Sequence, residues 1–272
     1  QLRARFDEDP NTRWGRELED AGVGVFHGIF GFKTHCKLAL LVRRDPDGVV
    51  RRYAHLGTGN YNPVTARFYT DISLMTARVE MTEAVQKVFN YLTAETEGES
   101  FAPLLVAPLT LADQLIALIE RETAHAKAGR AAAIVAKMNA LLDRRTVEAL
   151  YAASQAGVEI DLIVRGMCSL RPGVKGLSER IRVRSIVGRF LEHSRIFSFA
   201  NGGKNEIYCG SADWMPRNLV ERCEVVFPVT QPGLIKPLRE EILVAYLADN
   251  TKARLLQSDG ESVRAQRMGA AF

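Results

Sequence analysis

Two stretches of the 272-residue chain repeat one pattern: His35-Cys36-Lys37, a hairpin, then Gly57-Thr58-Gly59-Asn60; and His193-Ser194-Arg195, a hairpin, then Gly210-Ser211-Ala212-Asp213. The shared form is H-x-K/R, strand, turn, strand, G-S/T-x-N/D. In each copy the cation follows the histidine by two, so on a strand both side chains leave the same face. A neutral imidazole, with an ordinary pKa of about 6.5, is a nucleophile near neutral pH. A fixed ammonium or guanidinium beside it can hold phosphoryl oxygens while charge spreads over them. The small residues that end each hairpin let backbone N–H groups approach an anion, and Asn60 or Asp213 is expected to orient the neighbouring histidine through its other ring nitrogen. The pattern therefore predicts that His35 and His193, one from each half of the chain, converge on a single phosphorus.

The remaining histidines, His27, His55 and His125, have no duplicated partner and read as structural groups satisfied by local hydrogen bonds. Trp214 reads as a core anchor, Cys36 as small filler, and Gly57 and Gly59 as turn glycines.

The elements that must position these groups follow from periodicity. Asp9-Pro10 opens a short helix through Trp14 and Leu18, which Gly22 stops. Val23 to Phe30 reads as a buried strand, and Cys36 to Arg44 and Val49 to Leu56 as a hairpin around the turn Asp45-Pro46-Asp47-Gly48. Val79 to Leu92 has helical spacing, and the polar run Thr93 to Ser100 marks a domain boundary, giving domains of residues 1–98 and 99–272. The second half alternates: strand Leu104 to Ala107, a helix capped by Thr110 and running to Gly129, strand Ala132 to Met138, helix Arg144 to Ala156, strand Glu159 to Arg165. Strands at Ile181 to Val187, Arg195 to Phe199, Glu206 to Gly210 and Glu224 to Val229 follow, then a helix over about Leu234 to Leu247; the tail from Thr251 is expected to be loosely ordered. The alternation places the fold in the α/β class.

With 47% hydrophobic and 25% charged residues the chain can bury a real core, and no stretch approaches the roughly 20 apolar residues of a membrane span. The four cysteines lie far apart without a C-x-x-C pair, which argues against structural zinc or a disulfide framework and for a cytoplasmic location. A net charge of +4 and a pI near 8.9 do not point to nucleic acid, but they suit an anionic substrate if the positive charge is gathered in a cleft. The chain begins at Gln1 without a methionine and is read as a piece of a longer protein.

The duplicated pattern resembles the phospholipase D superfamily, whose motif is H-x-K-x4-D followed by G-S/T-x-N. Here Val42 stands where that motif has aspartate, and Arg195 replaces lysine in the second copy. A closer likeness lies in seven ordered strings: Arg3-Ala-Arg-Phe-Asp7, Lys33-Thr-His-Cys-Lys37, Tyr53-Ala-His-Leu-Gly-Thr-Gly-Asn-Tyr61, Thr65-Ala-Arg-Phe-Tyr-Thr-Asp71, Leu162-Ile-Val-Arg-Gly-Met-Cys168, Leu191-Glu-His-Ser-Arg195 and Ser211-Ala-Asp-Trp-Met-Pro-Arg-Asn218. In order and spacing these are similar to the polyphosphate kinase family.

That resemblance implies two phospholipase D-like domains, each a mixed sheet flanked by helices, the first truncated at its N-terminus. It implies reversible transfer of the γ-phosphoryl group of ATP to polyphosphate, with His35 phosphorylated and His193 as the second essential histidine. Tyr69, Arg165 and His193 match positions that contact ATP, with Lys37, Arg195 and Asn60 beside them at the phosphates; Arg5 matches an arginine of the magnesium and phosphate site. Mg2+ is the implied cofactor, and ATP, ADP and inorganic polyphosphate are the implied partners. A homo-oligomer, N-terminal domains of the same chain preceding Gln1, and a cytoplasmic protein open to peripheral membrane association complete the expectation. Polyphosphate carries about one negative charge per phosphate, so a tunnel for it needs repeated cations, and Arg3, Lys33, Arg67 and Arg217 also fall in or beside the strings. The competing readings are a phosphodiesterase or nuclease of the same superfamily and a non-catalytic polyanion-binding module.

Overall fold

The computed structural model describes residues 8–94 and 100–266. Arg3, Arg5 and the expected domain boundary at 98/99 lie outside the described residues.

The first half opens with helix α1 (Glu8–Asp20), closed by Gly22 in the left-handed region at φ 81°. A two-residue strand β1 (Lys33–Thr34) precedes the hairpin β2 (Lys37–Arg44) and β3 (Val50–Gly57), whose turn is the expected Asp45 to Gly48. Two further strands, β4 (Tyr69–Thr70) and β5 (Ser73–Thr76), lead into helix α2 (Val79–Ala94). Strands β2, β3 and β5 form an antiparallel sheet of three, and their inward residues Leu38, Leu56 and Leu74 meet the α2 face that carries Val85 and Val88.

The second half holds β6 (Leu105–Ala107), α3 (Leu111–Lys127), β7 (Ala133–Met138), α4 (Arg144–Gln155), β8 (Glu159–Val164), β9 (Ile181–Ile186) and the short β10 (Leu191–Glu192). It continues with β11 (Ile196–Phe199), β12 (Glu206–Gly210), α5 (Pro216–Val220), β13 (Arg222–Val229) and a closing helical stretch. These strands, with β1 and two strands of the tail, make a mixed ten-stranded sheet in the order β1-β13-β12-β11-β7-β8-β9-β14-β15, with β6 on β13. Here β14 is Ala253–Leu256 and β15 is Ser262–Arg264.

Both faces of this sheet are covered, which is why its strands read as near-continuous apolar runs. Alternate residues enter different cores: Leu162, Phe197 and Trp214 pack with α3 and α4, whereas Ile163, Ile196, Ile207 and Phe227 pack with Leu56, Val85 and Val88 from the first half. The two halves thus share a core. Each such fully buried Leu, Ile or Phe contributes about 1.5–3 kcal/mol relative to an exposed one.

Most expected elements stand within two residues of their reading, and the α/β class holds. Four details differ. Val23 to Phe30 is irregular rather than a buried strand, with Phe26 65% and Phe30 96% exposed; Gly28 and Gly31 adopt positive φ and break the extended run, leaving only Lys33–Thr34 to pair. Thr110 precedes α3 but does not cap it, because its hydroxyl accepts from Val106 N at 3.1 Å. The last helix is not one α-helix but Pro232–Lys236, a π-helical turn Pro237–Leu243 and Val244–Ala248 (α6, continuous through all three); Pro237 has no N–H to keep the register. The described part of the tail forms β14 and β15, with Ala253, Arg254 and Leu255 paired to Ile186, Ser185 and Arg184 on the edge of β9.

Candidate active site

Two very short parallel strands assemble the site across the halves. β1 pairs with β13 so that Thr34 faces Cys223, and the next residues in each strand direction are His35 and Glu224. The backbone N–H groups of His35 and Cys36 both donate to Cys223 O at 2.9 Å, fixing that register. β4 pairs with β10 so that Thr70 faces Glu192, and the next residues are Asp71 and His193.

Each histidine therefore meets an acid from the opposite half. Nδ1 of His35 lies 2.8 Å from the Glu224 carboxylate, and Nδ1 of His193 lies 2.8 Å from Asp71 Oδ1. A carboxylate only accepts, so each Nδ1 carries the proton and each Nε2 keeps its lone pair. The acids are themselves held. Glu224, wholly buried, accepts from Asn218 Nδ2 at 2.6 Å and from the Ser211 hydroxyl; Asp71 accepts from Thr58 Oγ1 at 2.7 Å.

The two cations complete the duplication. Lys37 Nζ donates to the carbonyl of His35, and Arg195 Nη1 donates to the carbonyl of His193 at 2.8 Å, so each cation is tied to the backbone of its own histidine. Both are buried. Arg195 also pairs with Asp213 at 3.1 Å, reaches Thr58 O at 3.3 Å, and sits 3.1 Å from Nε2 of His193. The charges of Lys37 and Arg195 act on both histidine rings.

Burial is the largest influence on both histidines and holds their pKa values below 6.5; Glu224 and Asp71 oppose it only in part, and Arg195 reinforces it. Burial opposes the charges of Glu224 and Asp71, but bonds from their histidines and the nearby cations outweigh it and keep both acids below their ordinary range. Burial also lowers Lys37 to about 8.

Of the residues singled out from sequence, the structure gathers His35, Lys37, His193, Arg195, Tyr69 and Arg165. The Tyr69 ring lies 4.8 Å from that of His193, and Arg165 Nε donates to Asn139 Oδ1 at 2.9 Å. Asn139 in turn donates to His193 O and Asp213 Oδ1, at 3.3 and 3.1 Å. Asn60 is exposed and does not orient a histidine, nor does Asp213, which serves Arg195 and Asn139; those orienting roles fall to Glu224 and Asp71. Arg67 and Arg217 are exposed.

Gly57 is the last residue of β3, opposite Lys37, and Gly59 is more than a turn residue: a Cβ there would collide with the Asp71 carboxylate. Likewise a Cβ at Gly210 would fall 2.5 Å from Val225 O. Trp214 is a core anchor, 4.9 Å from the Phe197 ring, while His55 and His125 bond Tyr61 and Asn201. Sequence reasoning gave no role to Asp71, Glu224, Thr58 or Asn139. A lone acid inside the apolar run Arg222-Cys-Glu-Val-Val-Phe227 was the available signal for Glu224, since a buried charge needs a partner.

Residues 1–98 match the model of polyphosphate kinase C-terminal domain 1, and residues 104–271 that of C-terminal domain 2. Polyphosphate kinase of Synechocystis sp. is 54% identical over 97% of this chain and 36% of its own length; that of Neisseria gonorrhoeae is 53% identical over 97% and 38%. The crystal structure of polyphosphate kinase from Porphyromonas gingivalis superposes with a TM-score of 0.89 at 40% identity, over 96% of this chain and 40% of that one. The chain thus spans little more than a third of the curated relatives it matches.

Proposed function

Since this chain belongs to the polyphosphate kinase family, we propose that it carries the phosphoryl-transfer site of an ATP:polyphosphate phosphotransferase, with His35 as the nucleophile. The observation that supports this most strongly is the crossed pairing of His35 with Glu224 and His193 with Asp71 around two shared cations.

Nε2 of His35 attacks the γ-phosphorus of ATP in line. The P–N bond forms as the bond to the bridging β–γ oxygen breaks, and ADP leaves. Glu224 balances the positive charge that develops on the ring through the Nδ1–H bond it already accepts. Lys37 and Arg195 stabilise the equatorial oxygens. A terminal oxygen of polyphosphate then attacks, the P–N bond breaks, and the chain is one phosphate longer; the reverse sequence makes ATP. His193 steadies the group in transit or moves a proton, Tyr69 and Arg165 hold the nucleotide, and Asn60 contacts the phosphates.

Among the described residues no group of three His, Cys, Asp or Glu side chains could hold a metal, and the acids nearest the histidines are already engaged. In this reading magnesium is the cofactor that neutralises the phosphates of the nucleotide, and Arg5 belongs to the magnesium and phosphate site. We also assign residues 1–98 and 99–272 to two domains packed on a shared core, and place the protein in the cytoplasm as a homo-oligomer, open to peripheral membrane contact. No helix among the described residues is long and apolar enough to cross a membrane.

The test is γ-labelled ATP given to the natural full-length polypeptide carrying this sequence. An acid-labile, base-stable phosphoryl label that disappears in His35→Ala supports the assignment. Label retained in His35→Ala, or diester hydrolysis without ATP, overturns it.

A further inference from the structure

On the reverse side of the seam that brings Asp71 to His193 lies a second charged cluster that the transfer chemistry does not use. β4 and β10 pair for only two residues, Tyr69 with Leu191 and Thr70 with Glu192, so Tyr69 and Asp71 leave one face while Thr70 leaves the other. The Glu192 carboxylate gathers three donors from three elements. Thr70 Oγ1 donates to it at 2.9 Å, Tyr246 OH from α6 donates at 2.5 Å, and Lys137 Nζ from β7 stands 3.5 Å away.

Lys137 is buried and further bound: its Nζ donates to Ser194 Oγ at 2.8 Å and Ser194 O at 3.3 Å, and lies 4.7 Å from the centre of the Tyr246 ring. Burial lowers it to about 8, with Glu192 opposing the shift. A buried ammonium with these partners resists rearrangement, because freeing either end strands a charge away from water. The strands alone could not hold the register. A two-residue parallel ladder offers few backbone bonds, here supplemented by Leu191 N to Phe68 O at 2.7 Å and Ser194 N to Thr70 O at 2.8 Å.

We propose that Glu192 is a positioning residue for phosphoryl transfer: its carboxylate, anchored by Lys137 and Tyr246, clamps Thr70 and thereby sets Asp71 and Tyr69 against the ring of His193. The proposal deepens the kinase reading by assigning a role to the surroundings of His193. A carboxylate placed on one side of a short ladder fixes the residues that flank its partner on the other, just as outer hydrogen bonds orient a metal-bound histidine.

The coupling between Asp71 and His193 reads this out without nucleotide, so it can fail while the transfer chemistry stands, and the reverse. His193 faces Asp71, Arg195 and Lys37, and its ring titration is followed by NMR in the intact chain. Asp71→Asn displaces the midpoint of His193; in Glu192→Ala that displacement should shrink roughly twofold or more, because the acid is no longer held at the ring. Glu192→Gln keeps an acceptor for Thr70 and Tyr246 and should restore most of the coupling. His35, whose acid is not on this seam, should titrate unchanged throughout.

Should Glu192→Ala fail to fold, Thr70→Val and Tyr246→Phe each remove one donor to the same carboxylate and decide the matter by the same comparison. An undiminished Asp71 effect in folded variants, or an equal disturbance at His35, overturns the proposal.

Discussion

Glu224 follows His35 by 189 residues, yet its carboxylate lies 2.8 Å from the imidazole Nδ1. Neither half of the chain therefore holds a complete histidine–acid pair. Glu224→Gln leaves an oxygen that can still accept the Nδ1 proton but removes the charge that balances a phosphorylated ring. The expected result is about 10- to 100-fold slower labelling from ATP with the fold intact, measured by rapid quench. Glu224→Ala should go further and cost about 3–5 kcal/mol of stability in urea, since it strands Asn218 and the site cations around an empty acid position.

The acid limb of the pH profile follows from burial. Both histidines have pKa values below 6.5, so both remain neutral where a free histidine is half protonated. Labelling is expected to stay level down through that pH and to fall only in more acidic buffer. For stability, the unfolded chain binds more protons at these histidines than the folded one once pH drops below 6.5, so their contribution to the unfolding free energy is level well above that value and declines beneath it. Denaturation at about pH 7.5 and about pH 5.5 checks the sign: His35→Gln should lose less stability across that interval than the native chain.

The alkaline limb belongs to lysine. Lys37 and Lys137 are both lowered to about 8, so free enzyme loses a site cation as pH rises through that value. Of the two, only Lys37 is tied to the carbonyl of His35. Lys37→Arg should move the alkaline fall of kcat/KM to higher pH, because guanidinium does not deprotonate there, whereas Lys137→Arg should leave its midpoint in place. An alkaline limb unchanged in Lys37→Arg would remove lysine from the argument.

What could be read in the sequence, and what could not, divides along one physical line. His35 with Lys37 and His193 with Arg195 are local, and spacing on a strand was enough to find them. The acids that serve them are not local: Asp71 and Glu224 reach the rings through two-residue parallel pairings, β4 with β10 and β1 with β13, too short to leave any periodic signature. Asn60 and Asp213 occupied the right place in the repeated motif, but proximity along a hairpin end did not translate into reach of the ring. The same shortness explains why β1 left no trace in the sequence, while the strand expected over Val23 to Phe30 does not form because glycines with positive φ break the extended chain. The tail failed differently: Leu255 pairs with Arg184 on the edge strand β9 and Leu256 packs on the core, partners that only the folded sheet provides.

Gly59 offers the sharpest check on the His193 pair. Its φ is not in the left-handed region, so strain does not explain the glycine; the space its missing Cβ would fill is taken by the Asp71 carboxylate. Gly59→Ala must push that carboxylate away, and with it the acceptor for Nδ1 of His193, while Thr58 Oγ1 loses its partner as well. The expected outcome is a fall in transfer comparable to that of Asp71→Asn, on the order of 10- to 100-fold, with little change in thermal midpoint. The double variant decides the cause. If Gly59 acts through Asp71, combining the two changes should cost no more than the worse single change. Multiplied losses would mean that Gly59 contributes on its own account, through backbone contact with the phosphates.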